Sequence, residues 1–397
     1  MKIKLKRAAG QRIRQGECLI QTQDIQSPEV ELLKEGESYP VYHGDGAFLG
    51  HVLIGRQHKG LGWLYSRQPQ QVWRESFVKG AIQGALEHRQ PLMHSDSTNA
   101  FRLFNAIGDG IGGITVDWYN GYGLINYYAE GLYQYRDWFQ AALIESIPTL
   151  QGLYETKRFK TTSEGMAENN QYVYGQVAPS PHPIKENQVN YGVYLGEDWM
   201  TGIFLDQRHV RQFVKDQAAG RCVLNLFSYT AAFSVAAAVG GASSTVSVDV
   251  AKRSMDRSME QFELNGIEVD FDQHQIRVMD VFDYVKYALR HQLKFDLIIC
   301  DPPSFARTKK TMWRVEEDYA ALAEDLFKLL NPGGILITAT NSAQYSADNF
   351  KAMLQDVVET IDGEAYLLTQ FGLEADYPTN PDPESQYLKV LAYYREW

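Results

Sequence analysis

The stretch CVLNLFSYTA, residues 222–231, runs from an apolar segment into a turn of small and polar residues. An alanine-rich segment, Ala232–Val239, follows the turn and ends at the pair Gly240 and Gly241. A short apolar run bounded by turn residues is typical of a buried strand, and the segment after it has the composition of a helix. The stretch therefore predicts a strand, a tight turn and a helix.

Further strand and helix patterns alternate along the chain. A second strand, Val246–Asp249, precedes a helical segment, Ala251–Asn265, and a fourth strand, Phe295–Cys300, follows a third that ends at Asp280. This alternation predicts a parallel sheet, and ligands of such sheets bind beyond the carboxyl ends of the strands. One crevice should then be lined by the strand-end residues Asn225 to Ala231, Asp249, Asp280 and Asp301.

The residue types at these strand ends suit a nucleotide. Small residues after the first strand let a ligand approach the backbone, and the next helix offers free N–H groups at its start. Asp249 can accept both hydroxyl groups of a ribose. Asp280 can accept from an adenine amino group while Val281 covers the ring. The Pro302–Pro303 pair stiffens the turn after the fourth strand, so that Asp301 can be held against a substrate.

Three motifs resemble those of the class I S-adenosylmethionine-dependent methyltransferases, within a family that modifies large-subunit ribosomal RNA. VLNLFSYTA, residues 223–231, is similar to the family's first cofactor motif, Asn-Leu-Phe-x-Tyr-Thr-Gly, and DPPSF, residues 301–305, resembles its fourth motif. TGIFLDQRHVR, residues 201–211, is similar to the segment that closes over the methionine end of the cofactor. The resemblance covers nearly the whole chain.

The resemblance implies S-adenosylmethionine as the cofactor and ribosomal RNA as the partner, and it assigns roles to particular residues. The implied cofactor contacts are Asp206, Gln207, Arg208, Asn225, Phe227, Ser228, Tyr229, Thr230, Ala231, Asp249, Asp280, Val281 and Asp301. The implied contacts of the target base are Asp301, Pro302, Pro303 and Asn341, with Phe305 or Tyr345 as stacking partners.

The resemblance also implies three domains. Residues 1–70, whose β-rich runs alternate with glycine-rich turns, are similar to the PUA domain, a small RNA-binding β-barrel. Residues 71–190 resemble an α/β insert domain. Residues 191–397 are expected to form an α/β, Rossmann-like methyltransferase domain around a seven-stranded, mostly parallel sheet.

Composition and charge exclude several classes of protein. The net charge of −11 argues against a surface that is basic throughout, and no apolar run has membrane-spanning length. The basic start of the chain lacks the apolar core of a signal peptide, so we expect a cytoplasmic protein without a membrane partner. Three scattered cysteines predict neither a disulfide framework nor a metal site. The resemblance adds a homodimer as an expectation.

Basic residues nevertheless form three local clusters, which could meet RNA phosphates. The first lies in the predicted first strand and turn, and the third follows the Asp-Pro-Pro turn directly. The clusters are Lys2, Lys4, Lys6, Arg7, Arg12 and Arg14; Lys157, Arg158 and Lys160; and Arg307, Lys309, Lys310 and Arg314.

The residue after the fifth predicted strand, Ile335–Thr340, departs from the family pattern. Members that form 5-methylcytosine have a nucleophilic cysteine there, whereas this chain has Asn341. Cys300 should not replace it, because adjacent strand residues point to opposite faces and Asp301 faces the crevice. A ring nitrogen such as guanine N7 needs no covalent helper, so guanine N7 or another nitrogen becomes a possible target.

Two other functions stay open. A dinucleotide-dependent dehydrogenase shares the strand, turn and helix with an acid at Asp249, but its Gly-x-Gly-x-x-Gly motif is absent. An RNA-binding or ribosome-assembly protein could retain the fold without catalysis. Ala231 supports this second alternative, since the family has glycine there and a methyl group could crowd the cofactor. Binding of the cofactor distinguishes the three functions.

Overall fold

The computed structural model shows two compact units. The first consists of Met1–Ile184, Val193–Thr201 and Glu374–Gln386, and the second of Lys185–Gly192, Gly202–Leu373 and Tyr387–Trp397. The division into three domains stays a prediction. The structure describes residues 1–26, 29–58, 60–159, 170–270, 272–303, 305–307, 312–343, 345–361 and 363–396.

The start of the first unit is a five-stranded sheet with the strand order β1-β3-β4-β5-β2. Its elements are β1 (Ile3–Lys4), α1 (Arg7–Arg14), β2 (Leu19–Gln21), β3 (Ser38–Tyr42), β4 (Phe48–Gln57) and β5 (Gly60–Ser66). The predicted β-rich runs are confirmed. The predicted turn around Arg7–Arg14 is wrong, because this segment is a helix that buries Ala9 and Ile13 in the core.

The rest of the first unit packs helices on a second five-stranded sheet, of order β10-β9-β8-β7-β6. Its elements are α2 (Glu75–His88), α3 (Gln90–Met93), β6 (Ala100–Asn105), β7 (Ile114–Tyr119), β8 (Tyr122–Tyr127), α4 (Glu130–Tyr133), α5 (Arg136–Ser146), β9 (Gly152–Lys157) and β10 (Asn170–Gly175). A short pair of strands follows, β11 (His182–Glu186) and β12 (Val189–Val193).

The second unit contains a seven-stranded sheet of order β15-β14-β13-β16-β19-β21-β20. Strands β15, β14, β13, β16 and β19 run parallel, and β21 pairs antiparallel with both β19 and β20. The sheet is therefore mostly parallel, as predicted. The elements of the second unit are α6 (Arg208–Gln217), β13 (Cys222–Leu226), α7 (Ala232–Val239), β14 (Ser244–Asp249), α8 (Arg253–Glu263), β15 (His274–Val278), α9 (Val281–Arg290), β16 (Phe295–Cys300), β17 (Phe305–Arg307), β18 (Met312–Arg314), α10 (Val315–Leu329), β19 (Leu330–Thr340), α11 (Ala347–Thr360), β20 (Ala365–Phe371) and β21 (Lys389–Arg395). Strands β17 and β18 pair with each other outside the seven-stranded sheet.

Strand β16 shows why this sheet is buried on both faces. Ile298 and Cys300 belong to one hydrophobic cluster, and Leu297 and Ile299 belong to another. Successive side chains of a strand point to opposite faces, so the two clusters lie on either side of the sheet. In the part of the chain that the structure describes, no helix combines the length and the apolar character needed to cross a bilayer.

Candidate active site at the carboxyl edge of the seven-stranded sheet

The strand order creates a switch point between β13 and β16. The chain proceeds from β13 to β14 and β15 on one side, then returns to place β16 on the other side of β13. Leu226 pairs with both Val248 and Cys300, so Phe227, Asp249 and Asp301 leave the sheet side by side. Ligands of such sheets bind at this point.

The loop after β13 has an unusual backbone. Phe227, Tyr229 and Ala231 have φ angles of 56°, 50° and 63°, in the left-handed region that favours glycine. The family's glycine at position 231 thus has a conformational reason, and Ala231 adopts the same conformation with its side chain fully buried. Non-glycine residues in this region cluster at functional sites, where the surrounding structure enforces them.

Asp249 holds this loop in place. Its Oδ2 accepts the N–H of Tyr229 at 2.9 Å, and its Oδ1 accepts the N–H of Ala251 at 2.9 Å and the hydroxyl of Ser254 at 3.2 Å. An ionised carboxylate has about four acceptor positions. Oδ2, which has one hydrogen bond here, therefore keeps acceptor capacity. The ribose contact of Asp249 stays a prediction.

Asp280 and Val281 lie at the start of helix α9. Asp280 caps the helix, with Oδ1 accepting the N–H groups of Phe282 and Asp283 at 2.9 and 3.3 Å. Val281 is only 3% exposed and packs in the core. Val250, which directly follows Asp249, is 63% exposed. Sequence reasoning missed it, although its place beside a strand-end acid was visible.

Asn225 has internal partners. Its side-chain amide donates to Ser234 Oγ at 3.0 Å, and Ser234 Oγ lies 2.7 Å from Ser247 Oγ. All three side chains are almost completely buried. Asn225 thus joins β13, α7 and β14 beneath the loop, and its predicted cofactor contact stays a prediction.

The segment before α6 lies against the loop and against Asp301. Thr230 Oγ1 donates to the carbonyl oxygen of Gly202 at 2.5 Å, and the ring of Tyr229 lies 5.6 Å from that of Phe204. Gln207 Nε2 donates to Asp301 Oδ2 at 3.1 Å. The predicted polar residues 206–208 therefore meet the predicted reactive turn.

A buried ion pair supports this segment. Arg211 binds Glu186 through two hydrogen bonds of 2.6 and 2.7 Å, and it donates to the carbonyl oxygen of Phe204 at 2.7 Å. Both charged side chains are almost fully buried. Arg208, one of the implied cofactor contacts, is buried at the start of α6. Glu186 was missed because no local pattern links it to Arg211.

The environment of Asp301 favours its neutral form. Burial raises the pKa of Asp301 to about 7, and the negative charge of Asp206 adds to this rise. The guanidinium of Arg211 and the hydrogen bond from Gln207 oppose it. Asp206 itself accepts a hydrogen bond of 2.7 Å from the hydroxyl of Tyr387. Perturbed carboxyl groups in a crevice are typical of functional sites.

The proline turn after Asp301 is anchored from one side. Pro302 is buried and Pro303 is exposed, and the indole N–H of Trp313 donates to the carbonyl oxygen of Pro303 at 2.9 Å. The rings of Phe227 and Phe282 pack on Trp313. Ser304 and the side chain of Phe305 lie outside the described residues.

Strand β19 carries the second predicted contact of the target base. Thr338 pairs with Cys300, and β19 continues to Thr340, so Asn341 follows the end of β19 at the same carboxyl edge as Asp301. Asn341 is exposed. Cys300 is fully buried, and burial raises the pKa of its thiol far above the usual value. Cys300 belongs to the hydrophobic core, which agrees with the expectation that it does not replace the missing cysteine.

The basic clusters differ in their surroundings. Arg12 and Arg14 pair with acidic residues, and Arg158 lies 5.1 Å from the Trp199 ring. Lys157 is 8% exposed, so this lysine does not form part of an open basic surface. Arg314 pairs with Glu317 at 2.7 Å. Lys160, Lys309 and Lys310, and the side chain of Arg307, lie outside the described residues.

Similarity to known proteins agrees with this geometry. A family model described as S-adenosylmethionine-dependent methyltransferase matches residues 157–364, and a PUA-like domain model matches residues 3–67. A Bacillus subtilis protein described as a ribosomal RNA large subunit methyltransferase, YwbD, is 40% identical over 98% of each chain. Ribosomal RNA large subunit methyltransferase I of Yersinia pseudotuberculosis is 29% identical over 90% of each chain.

Two solved structures are similar to this chain over nearly its whole length. A protein described as a methyltransferase, SMU.776, in complex with SAH is 38% identical and has a TM-score of 0.90, over 99% of this chain and 100% of that one. A Streptococcus mutans protein described as SAM-dependent methyltransferase is 37% identical with a TM-score of 0.88 over the same shares.

Proposed function

Because this chain belongs to the S-adenosylmethionine-dependent methyltransferases, we propose that it methylates a base of large-subunit ribosomal RNA. The RNA substrate in this proposal is inferred from the named relatives, which are described as ribosomal RNA large subunit methyltransferases. The match of residues 3–67 to a PUA-like domain supports it. The homodimer stays a prediction, which sedimentation velocity of the purified protein tests.

The carboxyl edge has groups that fit S-adenosylmethionine. Asp249 would accept from the ribose through Oδ2, whose position is fixed by the Tyr229 N–H group. Val250 would cover one face of the adenine, since its side chain is exposed beside Asp249. The left-handed loop at Phe227, Tyr229 and Ala231 would bring backbone atoms close to the methionine end.

We further propose that the methylated atom is a ring nitrogen, with guanine N7 as the first candidate. The observation that carries this proposal is the exposed Asn341 at the end of β19, where cytosine C5 chemistry would need a thiol. Cys300 cannot supply one, because it is fully buried with a raised thiol pKa. Cys222 begins β13 at the opposite edge, and Cys18 belongs to the first unit.

The residues at this edge suit an attack by a lone pair. S-adenosylmethionine supplies a methyl group already activated by a positive sulfur. Guanine N7 needs no prior loss of a proton, so positioning and exclusion of water can provide most of the rate enhancement. Gln207 orients Asp301, and the buried Pro302 limits the movement of the turn. An amide side chain such as that of Asn341 has a donor and an acceptor that can recognise the edge of a base.

The test uses purified protein, S-adenosylmethionine and large-subunit RNA from a strain that lacks the gene. Nucleoside mass spectrometry should detect 7-methylguanosine, and Asp249→Ala should abolish the product. RNA containing 5-fluorocytidine should form no covalent adduct with the protein. Detection of 5-methylcytidine, or of such an adduct, would contradict the proposed nitrogen chemistry.

The second candidate function is an RNA-binding or ribosome-assembly protein without catalysis. It rests on the buried methyl group of Ala231, which stands in the cofactor loop where the family has glycine. Isothermal titration with S-adenosylmethionine decides between the two. Micromolar binding that Asp249→Ala removes supports the enzyme, and absence of binding supports the second candidate.

A further inference from the structure

Lys389 is a buried cation in an unusual position. It is 8% exposed, and burial lowers its pKa. Its ammonium group donates to the carbonyl oxygens of Ser342 and Tyr387, the latter at 2.9 Å. Within the described ranges of the chain, no carboxylate pairs with it. Burial of a charge without a counter-ion is costly, so the position calls for a specific role.

The first bond of Lys389 fixes the turn that carries Asn341. Lys389 begins β21 directly opposite Thr340, the last residue of β19. Its ammonium group reaches past this pair to Ser342, the residue after Asn341. Two further bonds hold Ser342: its N–H donates to Thr340 Oγ1 at 3.2 Å, and its hydroxyl donates to Glu316 at 3.3 Å.

The second bond leads to the surroundings of Asp301. Tyr387, whose carbonyl oxygen Lys389 binds, donates through its hydroxyl to Asp206 at 2.7 Å. Asp206 precedes Gln207, which holds Asp301. One side chain therefore connects the turn of Asn341 with the residues that set the environment of Asp301.

We propose that Lys389 is a positioning residue for methyl transfer, holding the Asn341 turn and the Tyr387 backbone in the arrangement that the target base requires. This inference rests on the proposed function. Lys389 acts through these neighbours and does not itself contact the base. Because a displacement of about 1 Å in such a site can cost about 100-fold in rate, loss of the two bonds should act on the chemical step.

The same strand provides a matched control. Arg395, the last residue of β21, donates to the carbonyl oxygens of Phe327 and Leu330 at 2.6 and 2.8 Å. Arg395 thus also binds two backbone carbonyl groups, but at the amino edge of the parallel strands. Arg395→Met removes a comparable cation without touching the candidate active site.

Hydrogen exchange of the full-length protein tests the structural part without RNA. The amide of Ser342 should exchange at least about tenfold faster in Lys389→Met than in the wild type, because the turn loses a charge-assisted bond. Arg395→Met should leave this exchange unchanged. If Lys389→Met does not fold, Lys389→Gln, which keeps one donor group, replaces it. Unchanged exchange in the Lys389 variant would overturn the inference.

Kinetics tests the functional part. Lys389→Met should lower kcat about 10- to 100-fold, with the Kd for S-adenosylmethionine within about twofold of the wild type, and Lys389→Arg should recover part of kcat. An equal loss of kcat in Arg395→Met would show a general structural effect and refute the inference. If the wild-type protein methylates no RNA, the proposed function fails, and the exchange comparison still decides whether Lys389 positions the turn.

Discussion

Strand β16 carries an aspartate at each end, and the two differ in their environment. Asp296, at the amino end, accepts the N–H of Cys222 and the amide of Asn331, each at 2.8 Å and each on its own oxygen. Asp301, beyond the carboxyl end, accepts one hydrogen bond from Gln207 and lies near the charge of Asp206. At the amino edge, both oxygens of the aspartate side chain are used in bonds between elements of the sheet. At the carboxyl edge, the aspartate side chain has one hydrogen bond and keeps acceptor capacity for a ligand.

The backbone shows the same difference between the two edges. At the carboxyl edge, the loop after β13 has three non-glycine residues with positive φ, namely Phe227, Tyr229 and Ala231. At the amino edge, the turns before β13 and β14 place glycines at the positive-φ positions, Gly220 and Gly241, and the turn before β16 has a single non-glycine residue there, Gln292. Backbone strain is thus concentrated at the edge that would bind the cofactor. Strained residues lower stability, and they are typical of functional sites.

The largest expected effect is a difference in cofactor affinity between variants of two carboxylates, Asp249 at the carboxyl edge and Asp296 at the amino edge. Asp249→Ala should weaken binding of S-adenosylmethionine about 10- to 100-fold, because a charged acceptor is lost and the Tyr229 N–H group loses its partner. Asp296→Ala should leave the affinity unchanged and lower the free energy of unfolding by about 1–3 kcal/mol, since the Cys222 N–H group loses its acceptor. Isothermal titration and urea unfolding of both variants measure the two effects, and similar losses of affinity would remove the distinction.

A smaller effect should appear in the pH dependence of stability. The pKa of Asp301 is raised from 3.8 to about 7, so at intermediate pH the folded protein binds more protons than the unfolded chain. The free energy of unfolding contributed by Asp301 therefore falls as the pH rises through this window. The side chain in Asp301→Asn does not titrate, so the variant should gain about 2 kcal/mol relative to the wild type between about pH 5 and pH 7. Urea unfolding at both pH values tests this, and a constant difference would contradict it.

The smallest expected effect concerns the strained loop. Ala231→Gly removes a left-handed penalty of about 1–2 kcal/mol, while glycine adds about 0.4–1 kcal/mol of unfolded-chain entropy. The net result should be a stabilisation of about 0.5 kcal/mol, measured by urea unfolding. The control Ala238→Gly, in helix α7, should destabilise by up to about 1 kcal/mol. Destabilisation by both variants would show that position 231 is not strained.

Local patterns accounted for much of the second unit. Helix α7 and strand β16 have the predicted bounds, and β14 and β19 begin two and five residues earlier than predicted. Apolar runs, turn residues and helix composition are encoded over a few neighbouring residues, which explains this agreement. The strand-end acids were predicted for the same reason, since a parallel sheet places all its carboxyl ends at one edge.

Contacts between distant residues could not be predicted. Arg211 forms an ion pair with Glu186, and Tyr387 donates a hydrogen bond to Asp206, 181 positions away in the chain. No local sequence pattern indicates either contact. The burial of individual side chains could not be predicted either. Asn225 and Val281 lie at the positions that the cofactor motifs predict, but the packing of neighbouring elements buries their side chains.

The sequence by itself determined most strands and helices of the second unit, the order of the cofactor motifs and the replacement of a thiol by Asn341, because each depends on residue type and on near neighbours. Only the tertiary structure decided which side chains lie at the crevice, which acid has its pKa raised by burial, and which buried cation supports the turn of Asn341. Burial, dielectric environment and hydrogen-bond partners arise from packing between segments that are distant in the chain. The carboxyl edge of this sheet is therefore visible in the sequence as a set of residues, and as a site only after folding.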